Sequence, residues 1–385
     1  MIKKLYADRI DNMEESIFST MSRMANEYKA VNLGQGFPDF DGPDWIFDKA
    51  YEAMKNGKNQ YAPDAGIFSL RKAISNVYEQ YYHLSVNPAD EVVITAGATE
   101  ALYSTILALI GPGDEVIMFE PVYDAHLADV KLAGGIPKYV TLNTPDYSFD
   151  PDELEAAVTD RTKMILINNP HNPTGKVYSR EELEIIANCA KKHNLLVLSD
   201  EVYEFLTYDN TPHIPIITLP GMKERTITIS STGKTFSMTG WKIGYAVSSP
   251  ELIQAVVNIH QWTTFAVNTP AQHAMAYAFG QLEAYLPGFR ANYQRKRDLM
   301  LSKLSKTQFK SFTPKGSFFM FAQIPDLYHH DDLQCADELV KRCKVATVPP
   351  SMFYGKSDAG KKLLRLCFAK KDETIIAGIR NMGKY

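Results

Sequence analysis

The sequence predicts an α/β protein, with a mainly parallel sheet buried on both faces followed by a smaller α+β region. Three observations carry this. Five short continuous runs rich in valine, isoleucine and leucine occur at residues 92–95, 116–119, 164–167, 195–198 and 226–229. Each is followed at once by polar, glycine or proline residues, and helix-length segments separate them, as in a parallel sheet covered on both sides. The apolar runs stop near Tyr245; long helical stretches follow at 271–286 and 293–304, and an α+β tail begins after residues 315–321. Ligands in such sheets bind outside the carboxyl ends of the strands. One site therefore collects whatever follows each run.

The residues after each run have chemistry in common. After the first, Ala96-Gly97-Ala98-Thr99-Glu100 opens a helical stretch from Ala101 to Ile110. Small residues at a helix start let backbone N–H groups approach a phosphate, and the helix dipole favours the anion. A plain cap made by Thr99 fits the same residues. After the second comes Glu120-Pro121-Val122-Tyr123, where Tyr123 can stack on a planar ring or serve as a core tyrosine. The third leads into Asn168-Asn169-Pro170-His171-Asn172-Pro173-Thr174-Gly175, a tight irregular loop, because a residue before proline is pushed off helical geometry. Asn172 is its candidate hydrogen-bonding residue. The fourth gives Ser199-Asp200-Glu201-Val202-Tyr203. A carboxylate at Asp200, facing a buried ring nitrogen, keeps that nitrogen protonated; an Asp there also suits a helix cap.

The fifth run ends in Ser230-Ser231-Thr232-Gly233-Lys234-Thr235-Phe236. Lys234 follows a strand among small hydroxylated residues and glycine, so it lies in a turn rather than on a solvated helix face. Its amine can form a Schiff base with an aldehyde cofactor, as pyridoxal 5′-phosphate (PLP) lysines do.

This ordered set closely resembles the class I/II aminotransferases, PLP enzymes of fold type I. The residues that carry the resemblance are Asn-Pro-His-Asn-Pro-Thr-Gly at 169–175, Asp-Glu-Val-Tyr at 200–203 and Ser-Ser-Thr-Gly-Lys-Thr-Phe at 230–236. Gly-Trp-Lys-Ile-Gly-Tyr at 240–245 and Arg-Leu-Cys-Phe-Ala-Lys at 365–370 add to it. It covers nearly the whole chain. Asn-Leu-Gly-Gln-Gly-Phe-Pro-Asp-Phe at 32–40, Asn-Gln-Tyr-Ala-Pro at 59–63 and Val-Asn-Thr-Pro at 267–270 narrow it to the kynurenine and methionine aminotransferase branch.

The resemblance implies a seven-stranded, mainly parallel sheet in a large PLP-binding domain over residues 43–285. A smaller α+β domain would join an N-terminal arm, 1–42, to residues 286–385, with the site between the two. Lys234 would be the Schiff-base lysine and proton shuttle, and Asp200 would pair with the pyridine nitrogen. Asn172 and Tyr203 would hold the phenolic oxygen, and Tyr123 would stack on the ring. Ala98, Thr99, Ser231 and Lys242 would bind the phosphate, joined by Tyr61 from the partner subunit of a homodimer. Arg365, with Asn172 and the backbone of Gly36, would bind the substrate α-carboxylate. Phe18 and Phe37 would wall the side-chain pocket, although Ile17 and Phe18 also suit plain core anchors of an N-terminal helix.

Two positions are argued further from their own chemistry. Many aminotransferases carry arginine where this chain has Lys242, and lysine cannot grip phosphate bidentately, so the position reads as a subfamily marker. Alternation along the strand-like run 363–368 puts Arg365 and Cys367 on one face and Leu364, Leu366 and Phe368 on the other. An inward arginine needs an anionic partner, and a substrate carboxylate supplies one.

Composition removes other classes. The chain has 385 residues, 45% hydrophobic, and a net charge of −4 without a basic cluster, so no nucleic-acid partner is expected. No apolar run reaches the length of a membrane span, and the first nine residues lack a signal-peptide core, so a cytoplasmic location is expected. The four cysteines show no C-x-x-C spacing and the nine histidines form no H-x-x-x-H or H-E-x-x-H pair, so reduced thiols and no metal are expected. The expected function is a ping-pong transfer of the amino group from methionine, aromatic amino acids or kynurenine to a 2-oxo acid. A cysteine-S-conjugate β-lyase, an aspartate-type aminotransferase and a PLP-binding protein without activity are the competing readings.

Overall fold

The structure, a computed structural model, describes residues 7–10, 15–326 and 330–385. Most of the N-terminal segment read above for a signal sequence lies outside the described residues. After a short strand β1 (Val31–Asn32), seven strands form one sheet: β2 (Val92–Thr95), β3 (Glu115–Glu120), β4 (Ile136–Thr141), β5 (Thr162–Asn168), β6 (Leu196–Asp200), β7 (Thr226–Ser231) and β8 (Gly244–Val247). Their order is β2-β8-β7-β6-β5-β3-β4, parallel except for β8, which runs antiparallel to both β2 and β7. The strands β9 (Lys310–Ser311) and β10 (Phe319–Gln323) form a second sheet, and β11 (Val345–Ala346) pairs in parallel with β1. The last strand, β12 (Leu363–Cys367), pairs antiparallel with β10, so that Arg365 lies opposite Phe321.

Alternation along the central strands explains why the runs are continuously apolar. Ile117, Ile165, Ile167 and Val197 enter one core together with Leu183, Ile186 and Ala187 of the helix Arg180–Lys192. Val116, Met118, Met164, Leu166, Leu198, Ile227 and Ile229 enter the opposite core with the helices Gly97–Leu109 and Pro250–Thr263. Successive side chains of a strand point to opposite faces, so a strand covered on both sides buries every position, mostly apolar ones and in β7 the small threonines Thr226 and Thr228 as well. Each such side chain, taken fully out of water, contributes roughly 1.5–3 kcal/mol. Register then aligns the strand ends: Asn168 on β5 lies beside Asp200 on β6, which lies beside Ile229 on β7.

Helices and strands both differ in places from the sequence expectation. Residues 271–286 do not form one helix; the first helix is Thr269–Phe279, with Gly280 at its C-cap. The next, Leu282–Leu304, is continuous through Pro287 and absorbs the expected segment at 293–304. The strands β4 and β8 were not read as strands. β4 is a partly exposed edge strand containing Pro137, and β8 lies inside a glycine-rich motif, so neither presents a continuous apolar run.

Candidate active site

The carboxyl ends of β5, β6 and β7 open onto a cavity of about 320 Å³, closed from the other side by Phe18, Gly36, Phe37, Phe319 and Arg365. Lys234 enters it from the short helix Thr232–Thr235, whose N-cap Ser231 accepts a hydrogen bond from the Gly233 N–H at 3.1 Å. Its Nζ donates to the Gly36 carbonyl at 3.2 Å and lies over the rings of Phe318 and Tyr203. Burial, reinforced by the charges of Lys242 and Arg365 and opposed by Cys367 and Asp200, lowers this amine to about 8. A lysine so placed reaches its neutral form just above neutral pH instead of above 10, and the neutral amine is the form that attacks carbonyl carbon and takes up a proton.

Asp200 faces the same space. Its Oδ2 lies 2.9 Å from His126 Nε2, and its Oδ1 accepts the Val202 N–H at 3.2 Å. Both partners of the His126–Asp200 pair are buried. The imidazole also meets the Tyr123 ring edge-on at 5.3 Å, which fixes that tyrosine against the cavity wall. Tyr203, three residues after Asp200, lines the cavity too, and burial holds its phenol far above the usual range. Asn168 steadies the loop, accepting the Asn172 N–H at 2.6 Å and donating to the Asp200 carbonyl at 2.9 Å.

Arg365 is 1% exposed. One arm of its guanidinium donates to Asn172 Oδ1 at 2.9 Å and the other to the Gly34 carbonyl at 2.7 Å. The rings of Phe319 and Phe18 lie 4.1 and 4.5 Å from the guanidinium. Its Nε is buried with no partner within the protein, and burial lowers the group to about 10. A buried cation that meets only neutral acceptors is costly, and a carboxylate in the cavity would relieve that cost.

At the far end the helix Gly97–Leu109 begins without a side-chain cap. Thr99 does not cap it, and the N–H of Ala96 is taken instead by Glu100 at 3.0 Å. The Thr99 hydroxyl accepts from Lys242 Nζ at 3.2 Å. Gly97 has φ +78, and a Cβ there would meet Lys242 Nζ at 3.0 Å; a Cβ on Gly244 would strike the Ala98 nitrogen at 2.4 Å. These two glycines let β8 and Lys242 close on the helix start, where free N–H groups, a hydroxyl and an ammonium converge as a phosphate requires.

Every site residue named from the sequence lines the cavity except Tyr61, which is 82% exposed and packs edge-on against Phe265 at 5.2 Å. The Gly36 carbonyl accepts from Lys234, while Gly34 is the backbone partner of Arg365. Sequence reasoning missed His126, Gln35 and Phe319. His126 follows Tyr123 by one helical turn, but no spacing rule links it to an aspartate 74 positions away.

The Aminotransferase class I and II family model matches residues 28–379. The chain is 39% identical to a kynurenine–oxoglutarate transaminase of Dictyostelium discoideum, over 96% of this chain and 94% of that one. It is 36% identical to a methionine aminotransferase of Escherichia coli, over 97% of each. A crystal structure of an Escherichia coli protein with a methionine aminotransferase function superimposes with a TM-score of 0.95, at 34% identity, covering 99% of this chain and 100% of that one. The lysine at the end of β7, the carboxylate at the end of β6 and the mostly parallel sheet that aligns them thus belong to a transaminase: the chain is a member of the class I and II aminotransferases, with their fold type I architecture.

Proposed function

We propose that this aminotransferase takes the amino group of methionine, aromatic amino acids or kynurenine and passes it to a 2-oxo acid in ping-pong half-reactions. The observation that carries this reading is the pairing of one buried arginine, Arg365, with an aromatic wall of Phe18, Phe37, Tyr123 and Phe319. Among the described lining residues the cations are Lys234, Lys242 and Arg365. The first would face the reacting carbon and the second the phosphate, which leaves no further cation among this chain's described lining residues for a second substrate carboxylate. That favours apolar side chains over aspartate, and an apolar wall separates related side chains only weakly.

PLP is the cofactor of this family, and its ring accepts the electron pair released when the substrate Cα–H bond breaks. The residues present fit it. Asp200, backed by His126, would hold the ring nitrogen protonated; Asn172 and Tyr203 would hold the phenolic oxygen; Tyr123 would stack on the ring. Ala98, Thr99, Ser231 and Lys242 would receive the phosphate. Lys234 would take the proton from Cα and deliver it to the cofactor carbon next to the ring. Arg365 would orient the substrate through its carboxylate. The two relatives named above, called a kynurenine and a methionine transaminase, support this donor class. A second copy of the chain would bring Tyr61 to the phosphate, and a cytoplasmic location fits both.

The test is an amino-donor screen of the PLP-loaded protein without acceptor, following loss of the lysine-bound cofactor's absorbance. Rapid bleaching by methionine, phenylalanine, tyrosine or kynurenine with keto-acid formation is expected. Bleaching by aspartate or glutamate alone would overturn the donor assignment, and pyruvate with ammonia from a cysteine conjugate would reveal β-lyase chemistry. Lys234→Ala should fold, bind PLP without bleaching and show no turnover.

A further inference from the structure

The last turn of the helix Arg180–Lys192 and its C-cap bring a cysteine and a histidine together. Cys189 and His193 are four residues apart, so they share one face, and the His193 N–H closes the helix on the Cys189 carbonyl at 3.1 Å. The helix Pro151–Ala156 packs beside them and extends Glu155, whose Oε1 lies 2.7 Å from His193 Nε2. The thiol sulfur, a ring nitrogen and a carboxylate oxygen of the three residues all lie within 4.8 Å of one another. Cys189 is 6% exposed, while Glu155 and His193 are half-buried and open to water. Lys192 also contacts Glu155, but its side chain is 64% exposed and can release the carboxylate to solvent at little cost.

We propose that Glu155, Cys189 and His193 bind one zinc ion, with water as the fourth ligand. Thiolate, imidazole and carboxylate are the donors zinc takes in tetrahedral sites, whereas magnesium and calcium prefer all-oxygen sets. A sulfur–metal bond replaces the S–H bond, and the thiol proton leaves to water. His193 gives up its contact with Glu155, binds the metal through Nε2 and keeps one proton on Nδ1. No electron is transferred. None of the three residues lines the active-site cavity, so the ion takes no part in the amino-group transfer. It joins the helix Pro151–Ala156 to a helix that runs from the Asn168–Asn172 loop back into β6 and Asp200. The inference stands apart from the choice of amino donor.

The holoenzyme, stripped with a chelator and dialysed against Zn²⁺ alone, should retain one zinc per chain after desalting. X-ray absorption should show one sulfur neighbour at about 2.3 Å. Cys189→Ser and His193→Ala should each weaken zinc binding by at least about tenfold, with the lysine-bound cofactor's absorbance unchanged. Should Cys189→Ser fold poorly, His193→Ala and the more exposed Glu155→Gln decide the matter. No zinc above the dialysis background, equal binding by the variants (an adventitious ion only), or a zinc without sulfur neighbour would overturn the proposal.

Discussion

Lys234 stores a penalty that its chemistry requires. Its native amine loses a proton at about 8, against an ordinary value of 10.5, with burial as the largest cause. Between those values the unfolded chain binds more protons than the native one, so stability rises with pH across that window. Lys234→Met should therefore stabilise the cofactor-free protein at pH 7, on the order of 1–3 kcal/mol. The gain should fade as pH climbs from 8 to 10.5. Urea midpoints of both proteins across that range check this; a gain independent of pH would contradict it. Capture of PLP by the cofactor-free wild type should quicken with pH and level off above about 8, near the amine's own value. Arg365 makes the complementary demand. Its two arms reach Asn172 and Gly34 at once, a fork that lysine cannot reproduce. Arg365→Lys should lower kcat/KM roughly ten- to a hundredfold, mostly through KM, as befits about 1.5–3 kcal/mol of charge-assisted bonding. Steady-state kinetics with methionine would show it. The cavity positions of both were legible in the sequence, because Lys234 follows a strand and Arg365 sits on one, each with distinctive neighbours. His126 and Gly34 were not, because their roles depend on contacts far apart in the chain.

At the scale of the element, the turn after β6 is two-sided. Asp200 and Tyr203 line the cavity, whereas Glu201 and Glu204 turn away from it. Glu204 accepts hydrogen bonds from Tyr82 at 2.5 Å, Ser230 at 2.6 Å and Tyr245 at 2.8 Å. The helix Phe68–Tyr82, β7 and β8 are thereby tied to the turn that carries Asp200. Glu201 is held by Ser199 and His213 at 2.7 Å each, and burial raises its carboxyl. Glu204→Ala would take the acceptor from three hydroxyls, leaving Tyr82 and the buried Tyr245 without one while Ser230 keeps the Glu201 carbonyl at 3.4 Å, and should cost about 2–4 kcal/mol, with Glu204→Gln milder. Urea unfolding measures the loss, and kcat should fall with it if the turn positions Asp200. Asp-Glu-Val-Tyr at 200–203 was legible as a motif, yet only Asp200 and Tyr203 were assigned work. The reason is physical: a ligand's needs can be guessed from chemistry, while the partners of Glu204 come from residues 82, 230 and 245, which only the fold assembles. The same limit hid the edge strand β4, and it made Gly280, a single residue between two apolar stretches, too weak a signal of a helix end.

At the scale of the whole molecule, the surface carries an apolar group that the single chain does not cover. Tyr61 and Trp262 are 82% and 84% exposed, with Phe265 more than half exposed. Tyr61 packs on Phe265, three residues beyond Trp262. Large exposed aromatics grouped in this way mark an interface. Their position gives the homodimer proposed above a measurable consequence, because Tyr61 would then act in the cavity of the other copy. Trp262→Glu would place a charge at the contact and should shift the protein towards monomer. Cofactor retention should fall in parallel, since each monomer keeps Lys242 and Thr99 but loses the partner's phenol. Tyr61→Phe should separate the two effects: the mass stays dimeric while retention weakens roughly fivefold, the worth of about 1 kcal/mol for one hydrogen bond. Light scattering and equilibrium dialysis of PLP on the same samples measure both quantities. A monomeric Trp262→Glu that holds PLP as tightly as wild type would show that each cavity is complete within its own chain.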